Sequence, residues 1–165
     1  MALSLDVKQL RERIRLWNAE LESPSIRGTL AVGMLAKGLL AFEGILTQTV
    51  VALVGLLDEP GRAHCKLLLG GKTISSSSLG DKCALLSGLK PDFERMLFAR
   101  GVQVTDDFLG NKEMDVLHAL VQYRNKLMHG KMGVSPSPEF AADLASKIES
   151  FCDSAPVSTA IKLSS

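Results

Sequence analysis

Apolar positions along this chain recur at the three-to-four-residue spacing of helix faces, and no convincing alternating strand pattern interrupts them. The stretch "DVKQLRERIRLWNAELE", residues 6–22, reads as an amphipathic helix with Leu10, Ile14 and Trp17 on its apolar side. "SPS" at 23–25 breaks that helix and caps the next. Ile26 to Leu57 is the most hydrophobic region and predicts a long core helix, ended by "DEPGR" at 58–62. A short apolar "CKLLL" leads into the polar loop "GGKTISSSSLG". After it, "GDKCALLSGL" and "PDFERMLFARG" predict two shorter helices with Gly and Pro at their borders. A penultimate helix over Lys112 to His129 stops at Gly130, and a last one covers Glu139 to Cys152. The expected fold is all-α, a bundle of about five to six helices. Residues 1–155 form one domain in this reading, and residues 156–165 a flexible Ser-rich tail.

Composition narrows the function classes. The 165 residues fit one domain, 46% apolar residues can fill its core, and 22% charged residues keep its surface wet. With 19 basic and 18 acidic residues the formal charge is +1, so no global field advertises nucleic acid or membrane, and any nucleic-acid contact must be local. Arg27, Lys37 and Glu43 interrupt the apolar region. Its longest charge-free stretch, Gly44 to Leu57, has 14 residues, against the roughly 20 of a spanning helix. No membrane partner is therefore expected. Cys65, Cys83 and Cys152 are odd in number and lack C-x-x-C spacing. The opening "MALSLDVKQL" lacks the basic and apolar regions of a signal peptide, so the expected setting is cytoplasmic and reducing.

Several apparent motifs dissolve on inspection of spacing. "GGKT" at 70–73 is similar to the end of a phosphate-binding loop, but Walker A spacing demands glycine where Lys66 stands, so an ordinary connection is expected. The adjacent His64 and Cys65 lack two further ligands at useful spacing, which favours a structural or surface role over a metal site. His118 and His129 are about three helical turns apart, too far to share one ion. No cofactor or metal is assigned. The basic run "KQLRERIR" at 8–15 is the usual composition of a solvated helix face.

One stretch, "LVQYRNKLMHG" at 120–130, resists such a reading. On a helical wheel Leu117, Leu120, Val121, Leu127 and Met128 form one stripe with Arg124 at its centre. A guanidinium stays charged, so burial demands an anion. The same construction puts Glu43 at the centre of the stripe Val32, Ala36, Leu39, Leu46, Val50 and Leu57, as the only carboxylate of the long helix. The two charges are expected to meet, Glu43 fixing the Arg124 fork. His118, Gln122, Asn125 and His129 line the polar edge of the same helix. His129 falls in the last turn, where the negative end of the helix dipole favours imidazolium. Such a residue is suited to acid and base work, and equally to capping a helix that stops at glycine.

The residues "RNKLMH", Arg124-Asn125-x3-His129, resemble the R-x4-H signature of the HEPN superfamily of small helical domains, many of them ribonucleases. In that family the residue after the arginine is often polar, commonly Asn, and an acidic residue of an earlier long helix often supports the arginine, as Glu43 would here. The resemblance implies a metal-independent endoribonuclease in which His129 moves protons, Arg124 neutralises charge on the phosphate and Asn125 orients it. Lys126, Lys131, Gln122 and His118 are the accompanying candidates for RNA contact. It further implies a homodimer whose two motifs face one another. A toxin or defence role with an antitoxin or regulatory protein partner is also implied. Some HEPN toxins carry a tyrosine two residues after the motif histidine. Lys131 stands there in this chain, so a partner would act by covering the cleft. The rival expectations are a non-catalytic HEPN-like interaction or scaffold domain and a nucleotide-binding regulatory module.

Overall fold

A computed structural model describes residues 2–21, 29–105, 108–128 and 138–164. Among them the fold is all-helical, with α1 (Ala2–Leu21), α2 (Thr29–Gly55), α3 (Glu59–Leu69), α4 (Leu79–Gly88), α5 (Lys90–Ala99), α6 (Asn111–Met128), α7 (Pro138–Cys152) and α8 (Ala155–Ser164). The bundle therefore has more helices than the hydrophobic pattern suggested, and the two additions have identifiable causes.

The first addition is α3, which spans the region read as a turn followed by a short apolar run. Its start is fixed by Asp58, whose side chain accepts from the Gly61 N–H, with proline in the first turn, and its end by Gly70 in the left-handed conformation. Caps define this helix because it buries little: Gly61 and Cys65 are inside, while Leu67 and Leu68 are exposed. The second addition is α8, which replaces the expected flexible tail. Its serines and threonine gave the segment a polar look, but Pro156, Val157 and Ala160 are buried at helical spacing against the rest of the bundle. The helical unit thus continues past residue 155.

At the centre lies α2, which touches α1, α3, α4, α6, α7 and α8. Phe42, Ile45, Leu46, Val50 and Leu53 are buried on it, and Phe42 meets the ring of Phe151 edge to face at 4.9 Å. By length and composition Leu35–Gly55 is able to cross a membrane. Its packing against neighbours is that of the central helix of a bundle, with a narrow exposed side carrying Leu40, Gly44 and Val51. Helix α1 runs antiparallel to α2, since Gln48 bonds Asp6 near one end and Trp17 packs on Gly38 near the other. A Cβ on Gly38 would lie 2.5 Å from the Trp17 ring, so glycine here is a requirement of close approach.

The start of α6 is fixed by Glu113, whose carboxylate accepts from the backbone N–H of Leu109 at 2.8 Å and of Ala155 at 3.3 Å. One side chain thereby joins the first turn of α6 to the first turn of α8. Leu109 has φ of 53°, a left-handed conformation costly for a side-chain-bearing residue, and it is held there by that bond and by its own burial.

Candidate functional site

Helix α6 carries Leu117 and Leu120 into the core and leaves Val121 and Leu127 half-buried. Arg124 continues this stripe one turn beyond Leu120, towards the C-terminal end of α6, where its Nε donates to Oε1 of Glu43 on α2. The wheel therefore paired the correct residues but set them too deep. The Arg124 side chain is 35% exposed and that of Glu43 22%, which makes a half-buried pair at the rim of the core. The reason is geometric: Glu43 lies on the flank of α2, between its buried side and its exposed side, and not on the centre line of the apolar face.

Such a pair contributes more than a surface pair, worth about 0–1 kcal/mol, and less than the roughly 3–5 kcal/mol lost when a fully buried partner is removed. Glu43→Gln is expected to cost about 1–3 kcal/mol of stability. A thermal or urea melt checks this, and an unchanged midpoint would mean that Glu43 does not hold Arg124 in solution.

His118, Gln122, Asn125 and Lys126 are all exposed on α6, so this polar side of the helix faces solvent, turned about 100–160° around the helix axis from Arg124. His129 and Lys131, with the remainder of residues 129–137, lie outside the described residues. Arg124 and Glu43 are thus brought together near the C-terminal end of α6 and Asn125 follows Arg124 in the chain, exposed, while the position of His129 rests on the sequence spacing.

A second anchor holds this end of α6. The Tyr123 hydroxyl donates to Asp143 on α7, the Tyr123 ring meets Phe140 edge to face at 4.7 Å, and Lys147 places its ammonium 3.2 Å from the same carboxylate. Hydrogen bonding to Asp143 raises the Tyr123 pKa above its ordinary value, and the same bond lowers that of Asp143. The available signal was a lone tyrosine beside Arg124 and an Asp–Lys pair at i,i+4 on α7. Two consecutive residues thus tie α6 to different helices, Tyr123 to α7 and Arg124 to α2, which fixes the rotation of its last described turns.

The remaining candidates fall elsewhere. "GGKT" forms an ordered turn between α3 and α4, in which Thr73 and Ser76 bond one another and Ser77 bonds the Thr73 carbonyl. These polar groups are consumed by the turn itself. His64 has a structural partner: its Nδ1 is 2.7 Å from Asp92, which Arg95 also contacts at 2.8 Å while reaching Asp58 at 2.7 Å. This network ties the start of α3 to α5. Burial alone would raise Asp92, but the hydrogen bonds from His64 and Arg95 outweigh it and hold the carboxyl below its ordinary value. Hydrogen bonding to Arg95 likewise holds Asp58 down to about 2. Cys65, Cys83 and Cys152 are buried free thiols, and burial pushes all three up, Cys83 and Cys152 to about 11. Thiols so placed are poor nucleophiles. No group of three or more metal-ligating side chains occurs among the described residues.

A pocket of about 380 Å³ lies at the opposite end of α6, bounded by Lys112, Val116, Phe151 and Pro156. It is separated from Arg124 by about 18 Å along the helix, counted from Lys112. The chain matches no protein-family model, no curated protein and no solved structure.

Proposed function

We propose that the protein is a metal-independent endoribonuclease of HEPN type, a cytoplasmic toxin or defence effector that acts on RNA as a homodimer. The observation that carries this reading is the Arg124–Glu43 pair at the end of α6, with Asn125 exposed beside it. A guanidinium held from behind by a carboxylate keeps its remaining N–H donors available for a phosphate.

In the proposed reaction the RNA 2′-oxygen attacks the adjacent phosphorus and forms a new P–O bond. The bond to the 5′-oxygen breaks, leaving a 2′,3′-cyclic phosphate and a free 5′-hydroxyl. His129 accounts for the protons, taking one from the 2′-hydroxyl and supporting its delivery to the leaving oxygen. Arg124 offsets the charge that gathers on the non-bridging oxygens, and Asn125 orients them. The exposed Lys126, Gln122 and His118, together with Lys131, would contact flanking nucleotides. An antitoxin or regulatory partner would silence the enzyme by covering this surface.

Purified protein is expected to cleave single-stranded RNA in excess chelator, with products ending in 2′,3′-cyclic phosphate. Mass spectrometry of the fragments reads the ends directly. Cleavage that stops on chelation and returns with magnesium would replace the proposed route with a metal-dependent one.

A second reading, a non-catalytic interaction module, draws support from a specific feature: Phe98 is 83% exposed and Leu67 79%, large apolar side chains of the kind that anchor protein contacts. Induced expression of the chain and of His129→Ala in a bacterium separates the two. Equal harmlessness at equal expression, with intact RNA in both cultures, favours the interaction module.

A further inference from the structure

Helices α1 and α2 enclose a groove of about 190 Å³ whose lining includes Asp6, Gln9, Arg13, Ala41, Gly44 and Gln48. It opens one residue away from the Arg124 pair. Glu43 turns toward α6, whereas Gly44, the next residue, floors the groove about 100° further round the helix. A Cβ at Gly44 would meet nothing within 4 Å, so the backbone of α2 lies open to a flat ligand.

The edge of the groove has a defined hydrogen-bonding character. The Gln48 amide nitrogen donates to Asp6 Oδ2 at 2.6 Å, which leaves the Gln48 carbonyl oxygen and the second Asp6 oxygen as acceptors. Arg11 and Arg15 are engaged with Asp153 and Glu12, but Arg13, on the groove, has no ion-pair partner among the described residues. The volume is below the roughly 300–1,000 Å³ of pockets for drug-sized ligands and suits one planar ring system.

We propose that this groove is a base-recognition subsite, an inference that rests on the ribonuclease reading for its substrate class. One nucleobase of single-stranded RNA lies on the Gly44 floor, Asp6 and Gln48 accept from its exocyclic amine, and Arg13 meets the neighbouring phosphate. The acceptor edge favours adenine or cytosine over uracil, which has no amine to donate. Cleavage is therefore directed to sites with an amine-bearing base near the cut phosphate.

The test is fluorescence anisotropy with short 2′-O-methyl oligonucleotides of adenine, cytosine or uracil, which cannot be cut by 2′-hydroxyl attack. The protein should bind the adenine or cytosine strand about tenfold more tightly than the uracil strand. Gly44→Leu, which fills the groove where no neighbour is crowded, should erase that preference. Gln48→Met keeps the bulk of the side chain but removes its acceptor, and should erase the preference even if Gly44→Leu disturbs the helix. Arg13→Ala should weaken all three strands alike and flatten the salt dependence. Binding that is equal for the three bases, or a preference that survives both groove variants, overturns the subsite while leaving the ribonuclease reading standing. A protein that binds none of the strands overturns both.

Discussion

An alanine at position 129 is expected to remove RNA cleavage, by at least about 100-fold, while the melting temperature stays close to that of the parent chain. Proton transfer by a positioned side chain is typically worth about 10²–10⁴ in rate, and in the proposed mechanism His129 is the only proton carrier at the site. The companion Arg124→Ala should lose a comparable factor, since removing one donor to a developing oxyanion costs about 10²–10³. The two variants differ in stability. Arg124→Ala strands Glu43 at the rim of the core and should melt earlier, whereas the contribution of His129 is to the reaction. A His129→Ala protein that still cleaves in excess chelator would remove His129 from the mechanism and return it to the role of a helix cap.

Mixing these two inactive chains is expected to restore roughly a quarter of the parent activity if each site draws its arginine and its histidine from opposite subunits. After random reassortment half of the dimers are mixed, and each mixed dimer holds one complete site and one site lacking both groups. The motivation is angular. On a regular helix Arg124 and His129 are five residues apart and diverge by more than a third of a turn, so one copy of the motif closes poorly around one phosphate. Two copies related by a two-fold axis remove that difficulty. Light scattering at assay concentration supplies the independent check: a fully active monomer would end the dimer proposal.

His118, Gln122 and Asn125 are exposed on the side of α6 turned away from the Arg124–Glu43 contact. Rigidity in this region has a visible origin. Tyr123 and Arg124 bond to Asp143 on α7 and Glu43 on α2, so the end of α6 is gripped from two sides. A phosphate site gains from side chains whose rotamers are already restrained, because less ordering remains to be done when the ligand arrives.

What is legible in the sequence depends on what sets each feature. Helix identity for α1, α2, α4, α5, α6 and α7 was legible because each carries its own periodic apolar positions and its own Gly, Pro or Ser boundaries. Helix α3 was hidden because its apolar Leu67 and Leu68 face solvent and its limits come from caps at Asp58 and Gly70. In α8 the buried residues are small, and their apolar character shows only once the other helices supply a surface to cover them. The partnership of Glu43 with Arg124 was also legible, since a charge that interrupts a greasy stripe must be answered by an opposite one.

Depth, flanking support and neighbourhood come from the packing of the helices on one another. A helical wheel gives an angle but not the position of the neighbouring helix, so Glu43 and Arg124 looked central and are in fact at the rim. The bonds of Tyr123 to Asp143 and of His64 to Asp92 cross 20 and 28 residues of chain, separations at which no local spacing rule operates. The groove over Gly44 exists only because α1 lies antiparallel on α2 with Trp17 pressed against Gly38. Which residues had to find partners follows from their order along the chain, because burying charge or leaving apolar surface in water carries a cost that any fold must meet. Which partners they found, and how wet the resulting site is, followed from the packing of one helix on another.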